Sequence, residues 1–199
     1  IDNGYGGVTI VRINGAIRAQ SGEGGISLDQ ITGAVEVRSS AGDVRLGSIE
    51  GPIDIAVTDG STFGELLFGP VTVRQPTGEI DLQWVQGDIR VKTASAKLTI
   101  RQENGSLDLT SGTGNITVQT NLDSEHDYFV ETQSGNIELS VPENASGTLD
   151  IRSQAGNIRT DVPVMIKAMS KRQLKGEFGS GGVRISLVST SGDVTVAQF

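Results

Sequence analysis

Residues 33–59 read GAVEVRSSA, GDVRLGSIE and GPIDIAVTD, three consecutive nine-residue steps that each begin with glycine. Apolar residues occupy the third and fifth positions of each step, as at Val35 and Val37, and mostly polar residues lie between them. Alternation with a period of two is typical of a β-strand that buries one face, whereas a helix needs apolar residues three and four positions apart. The stretch therefore predicts one short strand per step, with glycine at each corner.

The same step repeats through more than half of the chain. Glycine recurs every nine residues from Gly6 to Gly114, and Ala96 replaces it once. A strand of about five residues cannot bury its apolar face alone, but strands stacked about 4.8 Å apart can. The repeat therefore predicts a β-solenoid.

A second periodicity sets the size of the coil. Large aliphatic residues lie eight positions into alternate steps, at Ile13, Ile31, Ile49, Leu67 and Val85. The intervening steps carry small or turn-forming residues there, at Gly22, Ser40, Thr58, Pro76, Ala94 and Gly112. The two corners therefore differ, and the true repeat is a coil of two steps, about 18 residues in length. A triangular helix with three six-residue sides has the same coil length, but the nine-residue step favours two sides.

These patterns predict an all-β fold, a single-domain parallel β-solenoid (β-helix or β-roll) over residues 1–199. Regular nonapeptide repeats cover residues 1–121, and residues 122–199 hold less regular repeats that we expect to cap one end of the stack. Residues 161–181 have no clear periodicity and are predicted to form a long loop or a hairpin.

The later repeats share a short motif in which glycine is followed by Asp or Asn and then an aliphatic residue. It occurs at Ser134-Gly-Asn-Ile137, Ala155-Gly-Asn-Ile158 and Ser191-Gly-Asp-Val194. In this motif and in the order of its closing segments, the chain resembles a bacterial family of β-strand repeats named for adhesins, also called the toast-rack domain. The resemblance covers nearly the whole chain and is strongest over 130–199. It implies an extracytoplasmic domain of the cell envelope with no established catalytic residues.

Composition excludes several classes of function. The net charge of −8 argues against nucleic acid as a partner. The chain has no Cys, and no apolar run reaches the ~18 residues of a membrane span. Residues 162–199 nevertheless carry five Lys or Arg against two Asp or Glu. Because the sequence begins in mid-pattern at Ile1, we expect a processed or excised piece, periplasmic or on the cell surface, attached to a membrane anchor outside this segment.

The sequence offers no catalytic residues, no metal site and no cofactor site. Calcium-binding nonapeptides need Gly-Gly-x-Gly-x-Asp, which neither Gly6-Gly-Val nor Gly24-Gly-Ile continues. His126 is the only His, in a segment predicted to be a solvated turn. Glu36 and Asp54 are expected on neighbouring coils, where like charges raise the pKa of one carboxyl, although Arg18 and Arg90 flank them and favour a mixed charge ladder.

One candidate contact surface lies in the irregular step that begins at Gly60. Thr62 and Gly64 stand where other steps have Ile, Val or Leu, and aromatic or aliphatic residues crowd the same coil and the next. If these side chains face outward, they form an apolar contact site for a protein partner, composed of Phe63, Leu66, Phe68 and Trp84. The simpler interpretation is a bulge or a slip in register that turns the Phe side chains inward.

A second candidate surface is a basic cluster in the aperiodic segment, formed by Lys167, Lys171, Arg172 and Lys175. It would bind an anionic envelope polymer or a lipid head group. The simpler interpretation is a solvated loop that covers the end of the stack.

The sequence thus favours a non-catalytic extracytoplasmic binding or scaffold module that serves adhesion or envelope-stress sensing, with an unknown envelope component or protein as partner. A solenoid carbohydrate-active enzyme is an alternative from another class. It requires paired acids and a groove of aromatic residues, and the chain has only eight aromatic residues. A third hypothesis is a purely structural module, since exposed solenoid ends can stack end to end into a homo-oligomer.

Overall fold

The computed structural model describes residues 1–122 and 125–199, which form two β-sheets. We call the twelve-stranded sheet the front sheet and the ten-stranded sheet the back sheet. In spatial order, the front sheet contains β1 (Asp2–Tyr5), β3 (Ile17–Glu23), β5 (Val35–Ala41), β7 (Ile53–Asp59), β9 (Val71–Arg74), β11 (Ile89–Thr93), β13 (Leu107–Ser111), β15 (Tyr128–Thr132), β21 (Arg184–Ser189), β17 (Gly147–Ser153), β20 (Gln173–Phe178) and β19 (Met165–Ser170). The back sheet, from the opposite end, contains β18 (Ile158–Thr160), β22 (Val194–Gln198), β16 (Ile137–Val141), β14 (Ile116–Thr120), β12 (Lys97–Asn104), β10 (Glu79–Gln86), β8 (Thr62–Phe68), β6 (Val44–Glu50), β4 (Ile26–Thr32) and β2 (Val8–Asn14).

Strands of neighbouring coils pair in parallel, and paired residues lie two nine-residue steps apart in the sequence. Val35 of β5 pairs with Ile53 of β7, and Val37 pairs with Ile55. The corners continue the ladder, since the Gly33 amide donates to the Glu50 carbonyl oxygen at 2.7 Å. The predicted parallel β-solenoid, with two-sided coils of two steps each, is therefore confirmed.

The core lies between the two sheets and is made of the inward-facing aliphatic residues of both. Ile31, Ile49, Leu67 and Val85, which fill one corner of successive coils, are each fully buried. Ile13 occupies the same position on the terminal strand β2 and is 40% exposed because no coil covers it. The alternating large and small corners predicted from the sequence are thus the filled and tight corners of the stack.

At several corners, an Asp or Asn directly after the glycine links one coil to the next. The Asp88 carboxylate accepts hydrogen bonds from the Ser106 amide at 2.8 Å and from the Ser106 hydroxyl at 2.7 Å. The Asn115 side-chain oxygen likewise accepts from the Asn136 amide, and that of Asn136 accepts from the Asp193 amide, both at 2.9 Å. An Asp or Asn after glycine therefore supplies an acceptor to a backbone amide that the strand ladder leaves free at the corner.

The C-terminal coils do not stack in the order of the sequence. The last coil, β21 and β22, lies between the coil of β15 and β16 and the coil of β17 and β18. The hairpin of β19 and β20 then pairs antiparallel to β17 and forms the end of the front sheet. Residues 147–178, rather than the C-terminus itself, therefore cap this end of the stack.

Among the described residues, no helix has the length and apolar character needed to cross a membrane.

Candidate functional site

The apolar residues of the irregular coil face solvent on the back sheet. Leu66 is 41% exposed, Phe68 39% and Trp84 39%, while Phe63 is partly exposed between the buried positions 62 and 64. Strands β8 and β10 keep the regular two-step register, with Thr62 opposite Ile80 and Leu67 opposite Val85. The slip in register that would turn the Phe side chains inward is therefore wrong. We call Phe63, Leu66, Phe68 and Trp84 the aromatic wall.

A recurrent backbone kink turns Leu66 and Trp84 outward. Both have positive φ angles, 56° and 59°, as do the equivalent residues of the three preceding coils, Arg12, Gln30 and Ser48. The left-handed residue interrupts the strand alternation, so two exposed residues, Glu65 and Leu66, precede the buried Leu67. Arg, Gln and Ser occupy this exposed column in the first three coils, so an apolar residue there is specific to Leu66 and Trp84.

Two arginine guanidinium groups lie over the rings of the aromatic wall. The Arg101 guanidinium carbon lies 3.6 Å from the centroid of the Trp84 ring, and that of Arg45 lies 5.2 Å from the centroid of Phe63. The Arg101 Nε atom is buried and has no hydrogen-bond acceptor among the described residues. Stacked guanidinium groups of this kind hold an aromatic ring in place.

A shallow groove opens beside Phe63. It has a volume of about 290 Å³ and is lined by Arg45, Leu46, Phe63, Gly64, Glu65, Asp81 and Gln83. The Gln83 side-chain amide donates to the Asp81 carboxylate at 2.6 Å, which orients both groups on the outer face. The aromatic wall thus combines apolar surface with fixed polar groups, the composition found at the centre of protein contact sites.

The irregular residues beneath the wall have a structural explanation. Gln75 enters the core from the front sheet, and its side-chain oxygen accepts a hydrogen bond from the Thr62 hydroxyl at 2.6 Å. Leu67 and Leu82 fill the space beside Gly64, so that even a methyl group there would contact Leu67 Cδ1 at 2.8 Å. Hydrogen bonding therefore explains Thr62, and close packing explains Gly64.

The predicted basic cluster lies on the hairpin of β19 and β20, at the end of the stack. Lys167 forms an ion pair with Glu177, and Lys175 Nζ lies 3.1 Å from the Asp150 carboxylate. Lys171 and Arg172 lie at the exposed turn of the hairpin, and neither forms an ion pair with another described residue. The structure therefore leaves two of the four predicted cations available at the turn.

The outer face of the front sheet carries a ladder of paired charges. Arg18 lies 2.6 Å and Arg38 3.0 Å from the Glu36 carboxylate, and Arg74 lies 2.8 Å from Asp54. The hydrogen bond from Arg18 lowers the pKa of the Glu36 carboxyl, the opposite of the rise that a pair of like charges would produce. A groove of about 780 Å³ runs over this ladder past Pro52 and Pro70. Both Glu36 and Asp54 form ion pairs with arginine, and the lowered pKa of Glu36 differs from the raised pKa of the general acid of a glycosidase.

Within residues 1–122 and 125–199, no three Asp, Glu or His side chains come together closely enough to hold a metal ion.

Sequence reasoning missed the residues that complete both surfaces. The regular repeat predicts Gln102 beside Trp84, but Arg101 covers the ring instead, because β12 shifts its pairing with β10 after Leu82. The exposed Met165, Ile166 and Met169 of the hairpin lie in the aperiodic segment, where no repeat indicates which side chains face solvent. The presence of apolar residues among the lysines was the one available signal.

The fold defines the class of this protein as a two-sided parallel β-solenoid closed at one end by a hairpin. Residues 1–197 match the model of the family described as Toastrack DUF4097, and the chain belongs to that family. No curated protein and no solved structure matches the chain significantly.

Proposed function

We propose that this chain is a non-catalytic binding and scaffold module of the bacterial cell envelope, located outside the cytoplasm, and that the aromatic wall binds a partner protein. The observation that carries this proposal is the exposure of Leu66, Phe68 and Trp84 together on the back sheet, where most other outward residues are polar. Single exposed apolar residues are common on protein surfaces, but a cluster fixed by a stacked Arg is typical of a contact site.

The stack below the wall supports a scaffold role. Each coil packs only on its neighbours, and the continuous core keeps the outward side chains of successive coils in fixed register. The wall is therefore presented on a rigid surface and needs little ordering when a partner binds. The extracytoplasmic location rests on the resemblance of the later repeats to envelope proteins.

A photocrosslinking experiment in cells tests the proposed contact. A photoreactive side chain is placed at Leu66 in the intact protein, and in a matched control at Thr117, an exposed outward residue of the back sheet away from the wall. We expect a discrete crosslinked partner in the envelope fraction from position 66 that is absent from position 117. The variant Trp84→Ser should weaken that crosslink about tenfold or more, because it removes the ring beneath Arg101.

Two results would overturn the proposal. Equal crosslinking from positions 66 and 117 would mean that the wall has no specific partner. Recovery of the crosslinked protein in the cytoplasmic fraction would contradict the envelope location.

A further inference from the structure

The strand at the end of the front sheet exposes large apolar side chains along its length. All six residues of β19 are exposed, including Met165 at 73%, Ile166 at 51% and Met169 at 68%. The reason is that the front sheet extends two strands beyond the back sheet, so none of the described strands faces β20 and β19. The apolar side chains of these two strands therefore remain in water unless another part of the chain or another molecule covers them.

Residues 162–164, which come just before β19 in the sequence, cover β20 but not β19 itself. Val162 is buried and Val164 is partly buried against the core, and in β20 Leu174 and Phe178 are each only 3% exposed. Ile166 pairs with Gly176 and Met169 pairs with Leu174, so both lie on the inner face of the sheet just past this cover. Ile166 and Met169 therefore continue the apolar face of the core with no described residue covering them, whereas Met165, which pairs with Glu177, lies on the opposite face of the same edge strand.

The edge of β19 is poorly suited to pairing with another strand. Its ladder with β20 is broken at Lys167, where the register shifts between Ile166 and Ala168. A bulge and an edge lysine are two devices by which proteins prevent strand addition. A second copy pairing its own β19 antiparallel to this one would also bring the cations of both hairpins together.

The charge of the hairpin favours an anionic surface. The chain carries a net charge of −8, yet its cations concentrate here, and Lys171 and Arg172 form no ion pair with another described residue. Interfacial membrane-binding segments combine large apolar side chains with flanking Lys and Arg in this way. A soluble anionic polymer would satisfy the cations but would offer no apolar phase for Met165, Ile166 and Met169.

We propose that the hairpin of β19 and β20 docks on the surface of an anionic lipid bilayer. Ile166 and Met169 enter the boundary between head groups and acyl chains, Met165 adds apolar surface from the other face of the same edge strand, and Lys171 and Arg172 bind lipid phosphates. This inference deepens the proposed function and rests on it only for the compartment, because the hairpin and the aromatic wall are separate surfaces that separate variants can remove.

Vesicle co-sedimentation of the whole protein tests the docking. Vesicles of phosphatidylglycerol and phosphatidylcholine should bind it, phosphatidylcholine alone should bind it weakly, and added salt should reduce binding. Lys171→Ser with Arg172→Ser should weaken binding about 30-fold, at about 1 kcal/mol per cation. A matched control, Arg12→Ser with Lys92→Ser, removes the same charge from exposed positions elsewhere and should have little effect.

A second variant set separates lipid docking from binding of charge alone. Changing Met165, Ile166 and Met169 to Ser keeps every cation and should weaken vesicle binding about tenfold or more, because the lost apolar surface no longer leaves water. All three side chains are largely exposed, so these variants should fold, which circular dichroism verifies. Full vesicle binding by this variant would overturn the proposal, because charge alone would then account for the binding and a soluble anionic polymer would serve equally well as the ligand.

Depth quenching gives an independent measurement. In a Trp84→Phe background, Met169→Trp should be quenched by lipids brominated on their acyl chains, whereas Trp84 in the unmodified protein should not be. Absence of quenching at position 169, or hairpin-dependent dimers in solution in place of vesicle binding, would contradict the proposal. If the protein binds vesicles but position 66 gives no specific crosslink, the proposed partner contact at the aromatic wall is contradicted and the hairpin proposal stands.

Discussion

The Gln75 side chain shows how one polar residue is accommodated in the solenoid core. Gln75 is 1% exposed and Thr62 is fully buried. The Thr62 hydroxyl donates to the Gln75 side-chain oxygen, and the two hydrogens of the Gln75 amide are shared among the carbonyl oxygens of Gly60, Thr77 and Glu79 at N–O distances of 2.8–3.1 Å. Because Gly60 and Glu79 lie at the corners of two successive coils, the hydrogen bonds of this one amide link the two coils.

Replacing Gln75 therefore has a specific energetic signature. We expect Gln75→Leu to lower the free energy of unfolding by about 2–4 kcal/mol, because buried carbonyls and the Thr62 hydroxyl lose their partner. Thr62→Val should cost about 1–2 kcal/mol for the same reason. The double variant should cost less than the sum, since removing both polar groups leaves neither hydroxyl nor amide unsatisfied. Urea denaturation of the four proteins measures this coupling, and strict additivity would contradict it.

The sequence predicted only one side of this interaction. Thr62 departs from the aliphatic repeat of its own column, and that departure was visible in the sequence. Its partner Gln75 lies on the facing sheet, and periodicity along the chain relates residues of the same sheet only. The residues of the aromatic wall were likewise visible in the sequence as departures from the repeat. Their outward direction depends on a backbone kink, and the residues at that kink, from Arg12 to Trp84, share no chemical property that would predict it.

At the scale of the repeated element, the corner glycines combine an unusual backbone angle with close stacking. Gly33 has a φ of 144°, and a methyl group on it would lie 2.6 Å from the Gly15 carbonyl oxygen of the adjacent coil. Gly15 has nearly the same φ, 146°, but its corner lies at the N-terminal end of the stack. No described atom lies within 4 Å of a methyl group placed on Gly15. The pair therefore separates backbone strain from steric stacking.

Alanine at these two glycines should destabilise the protein to different degrees. Gly15→Ala should cost about 1–2 kcal/mol, the strain of an L-residue at positive φ. Gly33→Ala should cost at least about 2 kcal/mol more, since the close-packed corner backbone must move to admit the methyl group. Thermal and urea unfolding of the two variants give the comparison. Equal costs would mean that glycine is required only for its backbone angle and not for the close approach of coils.

The nine-residue glycine spacing was enough to predict the strands and corners from Gly6 to Gly114, because each element obeys the same local constraints. The large aliphatic residues eight positions into alternate steps were likewise recognised as corner residues. The kink that brings them into the core was not predicted, because positive φ at a non-glycine residue depends on the packing that follows it rather than on the residue itself.

At the scale of the whole molecule, the order of the C-terminal coils could not be predicted from the sequence. Strands β16, β18 and β22 all follow the same motif of glycine, Asn or Asp, and an aliphatic residue. Each can therefore pair with either of the others, and the motif identifies coils without ordering them. The actual order depends on the hairpin, which takes the end of the front sheet and returns the chain to the vacant place between β15 and β17.

This topology makes the last coil a joint between the cap and the regular stack. Among the strands that the structure describes, β17 pairs with β21 and β20 alone, so the cap reaches the rest of the front sheet through β21. Strand β22 likewise bridges β16 and β18, with the Ile137 amide donating to the Asp193 carbonyl oxygen at 2.9 Å. Regular coils, in contrast, are held by neighbours that precede and follow them in the sequence.

Removal of residues 183–199 should consequently unfold the cap and spare the regular coils. We expect amide hydrogens of residues 147–178 to lose protection from exchange, because β17 and β18 lose their pairing with the stack. Residues 26–111 should stay protected, since solenoid coils are stabilised by their nearest neighbours. Ile185→Asp with Leu187→Asp, which buries two charges in the same coil, should give the same pattern in a full-length chain. Protection retained over 147–178 would show that the cap folds without the last coil, and loss throughout the chain would show that the stack unfolds as one cooperative unit.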